Sequence, residues 1–422
     1  MTERAEGGGG SSAASWNFFA NVMDGALFSL GLSFGSQQTI LPVLVRDIGG
    51  GNIALGLIPV VWTLGFNAPQ ILIAPLARRT PVKKPLLLRT AMFQRIPWLM
   101  LAAAAFFLFG RVPSAVALPV FFVILGLAAL GGSFNLPVWF DLVAKLTPVR
   151  RRGRLFGARS ILGALLGAAG GWVAARILGA VESPVSFSIL LALSFCAMMF
   201  SYLFLLTLRE PPETPPVHPG RPAGEPRGFI AILRTDRNLR RFLVADALQI
   251  SAGMGLAFFT VHGLKKFALP DSAAGIFTAL MMGGTIAGSL IFGPLADRRG
   301  HRINLMAGAG ATFLSALAAL FAPDPVTYGI VFVCAALTIT LGTISRLPLL
   351  AELSPDAERP SVVALANLVT SPFVFCGVAG GFIADAAGYE YVFGLAALFA
   401  LSALLWLWFM VEEPRPAGAV HE

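Results

Sequence analysis

The chain has 422 residues, 56% of them hydrophobic and only 13% charged, with mean hydropathy +0.76 and a formal net charge of +9. Soluble domains carry about 25% charged residues, so this composition excludes a soluble globular protein. Alternating segments of about 10 residues, the mark of an outer-membrane barrel, are absent. What remains is an all-α polytopic membrane protein whose basic excess calls for an explanation, either by topology or by nucleic acid.

Residues 1–15, "MTERAEGGGGSSAAS", are polar and Gly/Ser-rich and read as a disordered tail. The apolar run behind them reaches about Val45, too long for a cleavable signal core, so the tail is expected to stay. Spans of about 20 residues, the length that crosses ~30 Å of hydrocarbon, then follow in series. The first six fall at 16–45, 52–77, 86–110, 114–145, 155–180 and 185–208, making an N-terminal bundle over 16–208. A Pro-rich linker over 209–238 comes next, and its "GFIAILR" suits a short helix on the membrane surface. The second bundle, 239–411, holds spans at 240–264, 272–296, 303–322, 326–350, 361–385 and 390–411, and 412–422 is a tail.

The bases explain themselves once placed on these spans. They crowd the even-numbered connections, the linker and the tails, among them Arg78, Arg79, Lys83, Lys84, Arg89, Lys145, Arg150, Arg151, Arg152, Arg154 and Arg159. On the opposite side stand Arg46, Arg111, Lys265 and Lys266. That asymmetry puts both termini in the cytoplasm and the protein in the cytoplasmic membrane, with lipid as its surroundings and no nucleic acid needed. Cys196, Cys334 and Cys376 lie inside apolar runs and read as buried thiols, and a monomer is the expected state.

The halves repeat each other. "LGAAGGWVA" in span 5 matches "CGVAGGFIA" in span 11, aligning Gly167, Gly170 and Gly171 with Gly377, Gly380 and Gly381. "LPVWFDL" matches "LPLLAEL", aligning Asp141 with Glu352, and spans 6 and 12 both exit through Glu-Pro at Glu210 and Glu413. Spans 1 and 7 align Asp24, Ser29 and Gly31 with Asp246, Ser251 and Gly253. Two pseudo-symmetric six-helix bundles about a midplane pathway form a transporter architecture.

The stretch "GPLADRRGHR", Gly293 to Arg302, follows span 8, and "APLARRTPVK" stands in the matching place after span 2. The former resembles the cytoplasmic signature of the major facilitator superfamily: a Gly, an Asp four residues on, a base, a Gly and further bases. The resemblance runs from span 1 to span 12 and implies the twelve-helix fold of that family. Gly293 is expected to let helices approach, Asp297 to accept hydrogen bonds or pair with a base, and Gly300 to make the turn. Arg298 and Arg302 would hold the loop at the inner face. By resemblance this cluster latches the cytoplasmic side. The first copy departs from the pattern, with Arg78 in place of the acid and Pro81 in place of the turn Gly; Asp141 and the "PVRRRGR" loop are the candidate substitute, with bases that merely enforce topology as the alternative. The glycines of span 5 match the antiporter signature of that superfamily poorly and read as close helix contacts.

Ionisable residues within a membrane are costly and mark pathways or paired switches. Asp24 and Asp246 fall at equivalent depths of spans 1 and 7, where a carboxylate could carry a proton, with a structural ion pair as the alternative. Arg95 in span 3 is expected to partner an acid such as Asp24. Arg346 in span 10 either faces the cavity or pairs with Asp246 or Asp297. Gln37, Gln38, Asn67, Gln70, Asn135 and Gln249 offer neutral hydrogen bonds to a solute, and Trp62, Trp139, Phe258 and Phe259 could line the pocket. His262 could titrate, but the four histidines are scattered without ligand spacing, so no metal site or cofactor is expected. "GLSFG" matches a nucleophile elbow but lies inside a span, and there is no phosphate loop, so neither hydrolase chemistry nor ATP is expected. The expected function is secondary transport of a small organic solute by alternating access, with protons as coupling ion. Arg346 and Arg95 favour an anionic solute. A uniporter or a transport-inactive sensor of the same fold is the alternative.

Overall fold

The computed structural model describes residues 7–67, 80, 82–211, 229–354 and 359–414 of the chain, and among them there is no strand. The first half contains α1 (Gly7–Phe34), α2 (Ile40–Asp47), α3 (Asn52–Asn67), α4 (Lys84–Phe107), α5 (Ser114–Leu146), α6 (Val149–Ala180) and α7 (Val185–Thr207). The second contains α8 (Phe229–Thr235), α9 (Arg237–Ala252), α10 (Phe259–Lys266), α11 (Ala273–Arg299), α12 (His301–Phe321), α13 (Pro325–Glu352), α14 (Arg359–Thr370), α15 (Cys376–Ala386) and α16 (Tyr389–Met410). Among the described residues, ten stretches are long and apolar enough to cross a membrane. α1 with α2, and α3, take the places of the first two predicted spans.

Three predicted spans are broken, a feature the sequence reading did not foresee. Span 1 unwinds between Phe34 and Ile40, span 7 passes through a 3-10 turn at Gly253–Gly255, and span 11 through another at Ser371–Phe375. Irregular backbone at membrane depth survives only where its polar groups find partners or line a cavity. The break in span 1 meets both conditions. The Gln38 carbonyl accepts from Thr260 Oγ1 of the other half at 2.7 Å, and Thr39 Oγ1 lies 2.5 Å from Thr278 Oγ1.

Other boundaries also need correction. α1 already runs from Gly7, so the expected tail over 1–15 is helical from there on; glycines have weak propensity, and propagation from the apolar residues behind them extends the helix. α6 starts at Val149, so "PVRRRGR" is the first turns of a helix and not a loop, with Pro148 at its N-cap and helix-favouring arginines after it. The last part of the predicted linker is helical, α8 and the start of α9, while 212–228 lie outside the described residues. Arg78 and Pro81, the two departures in the first signature copy, lie outside them as well. Cys196 is exposed on the surface of α7, whereas Cys334 is buried.

The halves meet along two helix pairs, α6 with α11 and α3 with α15. Glycine makes both contacts possible. A Cβ on Gly275 would sit 2.2 Å from the Ala175 nitrogen and 2.5 Å from the Gly171 carbonyl, and one on Gly56 would sit 2.1 Å from the Gly377 carbonyl. The repeated glycines thus divide the work in the same way in each half. Gly171 and Gly381 face the opposite half, while Gly170 packs on Ser33 of α1 and Gly380 on Phe258 beside α10. All of these cross-half contacts lie at the ends of the helices far from the two described chain ends, here called the distal face. Arg46 joins Asp271 there at 2.7 Å, Asn52 donates to Asp385 at 2.7 Å, and Tyr389 donates to Asn52 at 2.6 Å.

At the opposite, terminal face each half is fastened to itself. Glu210, just past α7, is buried and accepts from the Lys83 and Lys84 backbone N–H groups at the start of α4 (2.9 and 2.7 Å) and from Lys145 Nζ (2.9 Å). Glu413, just past α16, accepts from the Arg302 N–H at the start of α12 at 2.9 Å. A carboxylate at a helix N-terminus satisfies orphan amides and complements the dipole. Asp141 lies 3.7 Å from Lys83, and Glu352 lies 3.7 Å from His301, so these aligned acids also hold equivalent places. In the signature stretch, Asp297 and Arg298 occupy the exposed last turn of α11, and Gly300 makes the turn with φ +88°. Arg302 is spent within its own half, donating to the Leu407 and Trp408 carbonyls at the end of α16. Gly293 makes no close helix contact in this conformation, having nothing near the place of a Cβ, whereas Gly284 and Gly288 pack against α13.

Gly275→Val must push α6 and α11 apart, because its nearest neighbours are backbone atoms. Spin labels at Glu182→Cys and Lys265→Cys should report a longer distance across the distal face; an unchanged distance would mean that the glycines do not set it. Glu210 is a second test. Burial acts to raise its pKa, but the Lys83 and Lys84 amides and Lys145 outweigh it and hold the carboxyl below its usual range. Its stabilising contribution is therefore complete above the unfolded carboxylate range and is lost as pH falls through the lower folded value. Glu210→Gln should cost about 1.5–3 kcal/mol near pH 7. The gap in thermal stability should close on acidification, and a gap independent of pH would contradict the charge-based account.

Candidate functional site

A cavity of about 560 Å³ opens among α1, α3, α4, α5, α6, α7 and α11. It extends from the unwound segment at Gln37 and Gln38 toward Asp24, Trp139, Arg159 and Leu205 on the terminal side. Its lining is almost wholly from the first half, with Met282 and Thr285 of α11 as the contribution of the second. Amides and hydroxyls (Gln37, Gln38, Gln94, Asn135, Ser160) alternate with the aromatic faces of Trp62, Trp98 and Trp139. Pockets of this size and mixed lining suit small organic ligands.

Asp24 is buried on α1, and three helices supply its partners. Arg159 of α6 reaches Oδ2 through Nη1 at 2.8 Å, Ser201 of α7 donates to Oδ1 at 2.7 Å, and Arg95 of α4 lies 3.6 Å from Oδ1. The structure therefore brings Asp24 and Arg95 together. Arg95 is only 1% exposed and committed elsewhere as well: Nε donates to the Met198 carbonyl, Nη1 to the Ala91 carbonyl and Nη2 to Ser201 Oγ, at 2.8, 2.9 and 2.9 Å. Arg159 is looser. Its guanidinium lies 4.4 Å over the Trp139 ring, and its side chain is 20% exposed. Gly25 gives it room, since a Cβ there would fall 2.1 Å from Arg159 Cγ and 2.4 Å from Cζ.

Arg159 is the site residue that sequence reasoning missed. It was counted with the bases of a connection, although it stands inside the predicted span 155–180. An arginine at that depth needs an acid, and Asp24 was the nearest candidate by depth. Gln94 was likewise overlooked; it accepts from Asn135 Nδ2 at 3.0 Å while Thr90 donates to Asn135 Oδ1 at 3.2 Å.

The remaining candidates scatter. Arg346 grips Asp246 through Nε and Nη2 at 2.8–3.0 Å and reaches Asn367 at 3.1 Å, away from the cavity lining. Gln249 donates to Thr312 at 2.8 Å, also off the lining. Phe258 and Phe259 are core residues, and His262 is buried among Tyr328, Tyr389 and Phe393. Gln70 lies outside the described residues, and Asn67 is exposed at the end of α3.

A family model described as Major Facilitator Superfamily matches residues 23–265 and 250–422. The chain is 30% identical over 154 residues to YwtG of Bacillus subtilis (strain 168), covering 36% of this chain and 33% of that one. It is 28% identical over 161 residues to the glucose transporter GlcP of Staphylococcus epidermidis, covering 38% and 35%. The matched stretch thus spans about a third of the length of these relatives. Among solved structures, a mutant of the nucleoside transporter NupG superposes with a TM-score of 0.70 at 14% identity, covering 95% of this chain and 100% of that one, which is a likeness of fold.

The two arginines at Asp24 should behave differently on removal. Arg95→Met leaves a buried carboxylate, a serine and two carbonyls short of a donor, and should cost about 3–5 kcal/mol. Arg159→Gln leaves Asp24 with Ser201 and Arg95 and should cost clearly less. Denaturation of the purified variants in detergent decides the order, and equal losses would contradict this ranking.

Proposed function

Because the chain belongs to the major facilitator superfamily, we propose that it is a secondary transporter carrying a small polar organic solute across the cytoplasmic membrane. Both termini then face the cytoplasm, as the distribution of bases favours. The observation that carries this reading is the cavity of about 560 Å³, which is closed toward the distal face by glycine contacts and cross-half hydrogen bonds. With that orientation the conformation is inward-facing. Alternating access would undo the contacts of α6 with α11 and α3 with α15 and bring the terminal ends of the halves together. GlcP is a glucose transporter, and the amide, hydroxyl and tryptophan lining here suits a molecule with hydroxyls on one face and C–H bonds on another.

Protons are the proposed coupling ion and Asp24 the proposed carrier. It is a buried acid on the cavity wall, 2.8 Å from Arg159 and 3.6 Å from Arg95. Protonation weakens both attractions at once, so the charge state of Asp24 and the position of Arg159 are linked. Reconstituted vesicles test this. The parent should exchange solute by counterflow and accumulate it when an inward proton gradient is imposed. Asp24→Asn should keep counterflow and lose accumulation. Accumulation by Asp24→Asn at the parental level would remove Asp24 from coupling, and absence of counterflow across a broad solute library would count against transport itself.

A further inference from the structure

We propose that the solute is a hydroxylated organic monoanion, and that its carboxylate exchanges with Asp24 for the guanidinium of Arg159. This rests on the transport reading and adds the substrate class to it. Among the described residues, the ionisable ones on the cavity wall are Asp24, Arg95 and Arg159, one acid against two bases. Together these three carry one positive charge in excess while Asp24 is ionised. A buried charge without a counter-ion is costly, and a cavity with low-dielectric walls focuses its field on whatever enters. A monoanion supplies the missing charge; a neutral sugar leaves it in place.

The geometry tells which base is available. Arg95 uses all three of its nitrogens on Met198, Ala91 and Ser201 and cannot turn toward a solute without abandoning them. Arg159 uses Nη1 alone, toward Asp24 and the Asn21 carbonyl, while Nε and Nη2 have no hydrogen-bond partner among the described residues. A guanidinium is a planar fork that matches a carboxylate with two parallel bonds, and here only one tine is used. The tryptophan beneath it holds the plane of the fork, and the Nε1–H of that Trp139 is buried without an acceptor among the described residues. Asp24 can release Arg159 without being orphaned, because Ser201 and Arg95 stay on its other oxygen.

The second half lacks this imbalance. At the aligned place Asp246 and Arg346 form a one-to-one pair with Asn367 beside it, where Asp24 has two bases. The hydroxyls of the solute have Gln37, Gln38, Gln94 and Asn135 within the same cavity.

Thermal stability and titration calorimetry of the full chain in detergent, with probes matched in skeleton, test the proposal. The pairs are D-gluconate against D-glucitol and D-glucuronate against D-glucose. At least one acid should bind ten-fold or more tighter than its neutral counterpart. Arg159→Gln should lose that preference, and Gly25→Ala, which keeps every charge but displaces the Arg159 side chain, should weaken acid binding too. Neutral members binding as tightly as acids, no binding by either acid, or parental acid binding by Arg159→Gln would each overturn the proposal. Counterflow in vesicles separates the two readings. Exchange of neutral sugars with inert acids leaves transport standing and the anion site refuted, whereas acid binding through Arg159 without counterflow does the reverse.

Discussion

Two places where backbone meets backbone across the halves, Gly171 with Gly275 and Gly56 with Gly377, set the geometry on which the rest of the structure depends. In lipid, apolar side chains gain nothing by leaving one hydrocarbon for another, so helix association rests on close packing and polar contacts. Glycine gives both, because it removes the side chain that would hold the backbones apart. Only with the helices this close can Thr260 reach the freed Gln38 carbonyl and Thr39 meet Thr278. The cavity floor is made at that point, from the segment of span 1 that could not remain helical.

Much of the fold was legible because it is written in long apolar runs and in a repeat. The glycines aligned between spans 5 and 11, Asp141 with Glu352 and the two Glu-Pro exits occupy equivalent places, whereas Gly31 packs on Ser194 and Met198 while its counterpart Gly253 lies in a 3-10 turn with open space beside it. The broken spans were not legible, since a hydropathy run measures how apolar a segment is and not whether its backbone bonds continue. Arg159 was lost for a related reason. Counting charges by connection treats an arginine near a boundary as a topological marker, although its depth in the helix puts it opposite Asp24. Gly293 shows the complementary limit, a glycine in a signature position whose surroundings are empty in this conformation. Composition says which residues can pack tightly; only the neighbour across the gap says which of them do.

The pseudo-symmetry is most informative where it fails. Asp24 and Asp246 are aligned in sequence and both meet an arginine, yet the former has two bases from different helices and the latter one. The scaffold contacts are shared by both halves, while the cavity is drawn almost entirely from the first. Duplication accounts for the frame, and divergence after duplication accounts for the site.

The carboxylates of Glu210 and Glu413 tie the last span of each half to its third, α7 to α4 and α16 to α12, so each half is closed on itself before it meets the other. The described part of the connection between the halves belongs to the second of them: α8 lays Ile232 into the core formed with Leu239, Phe242 and Val362. A tilt of one half against the other therefore carries α8 along with the second half, and the change of angle falls between Glu210 and α8.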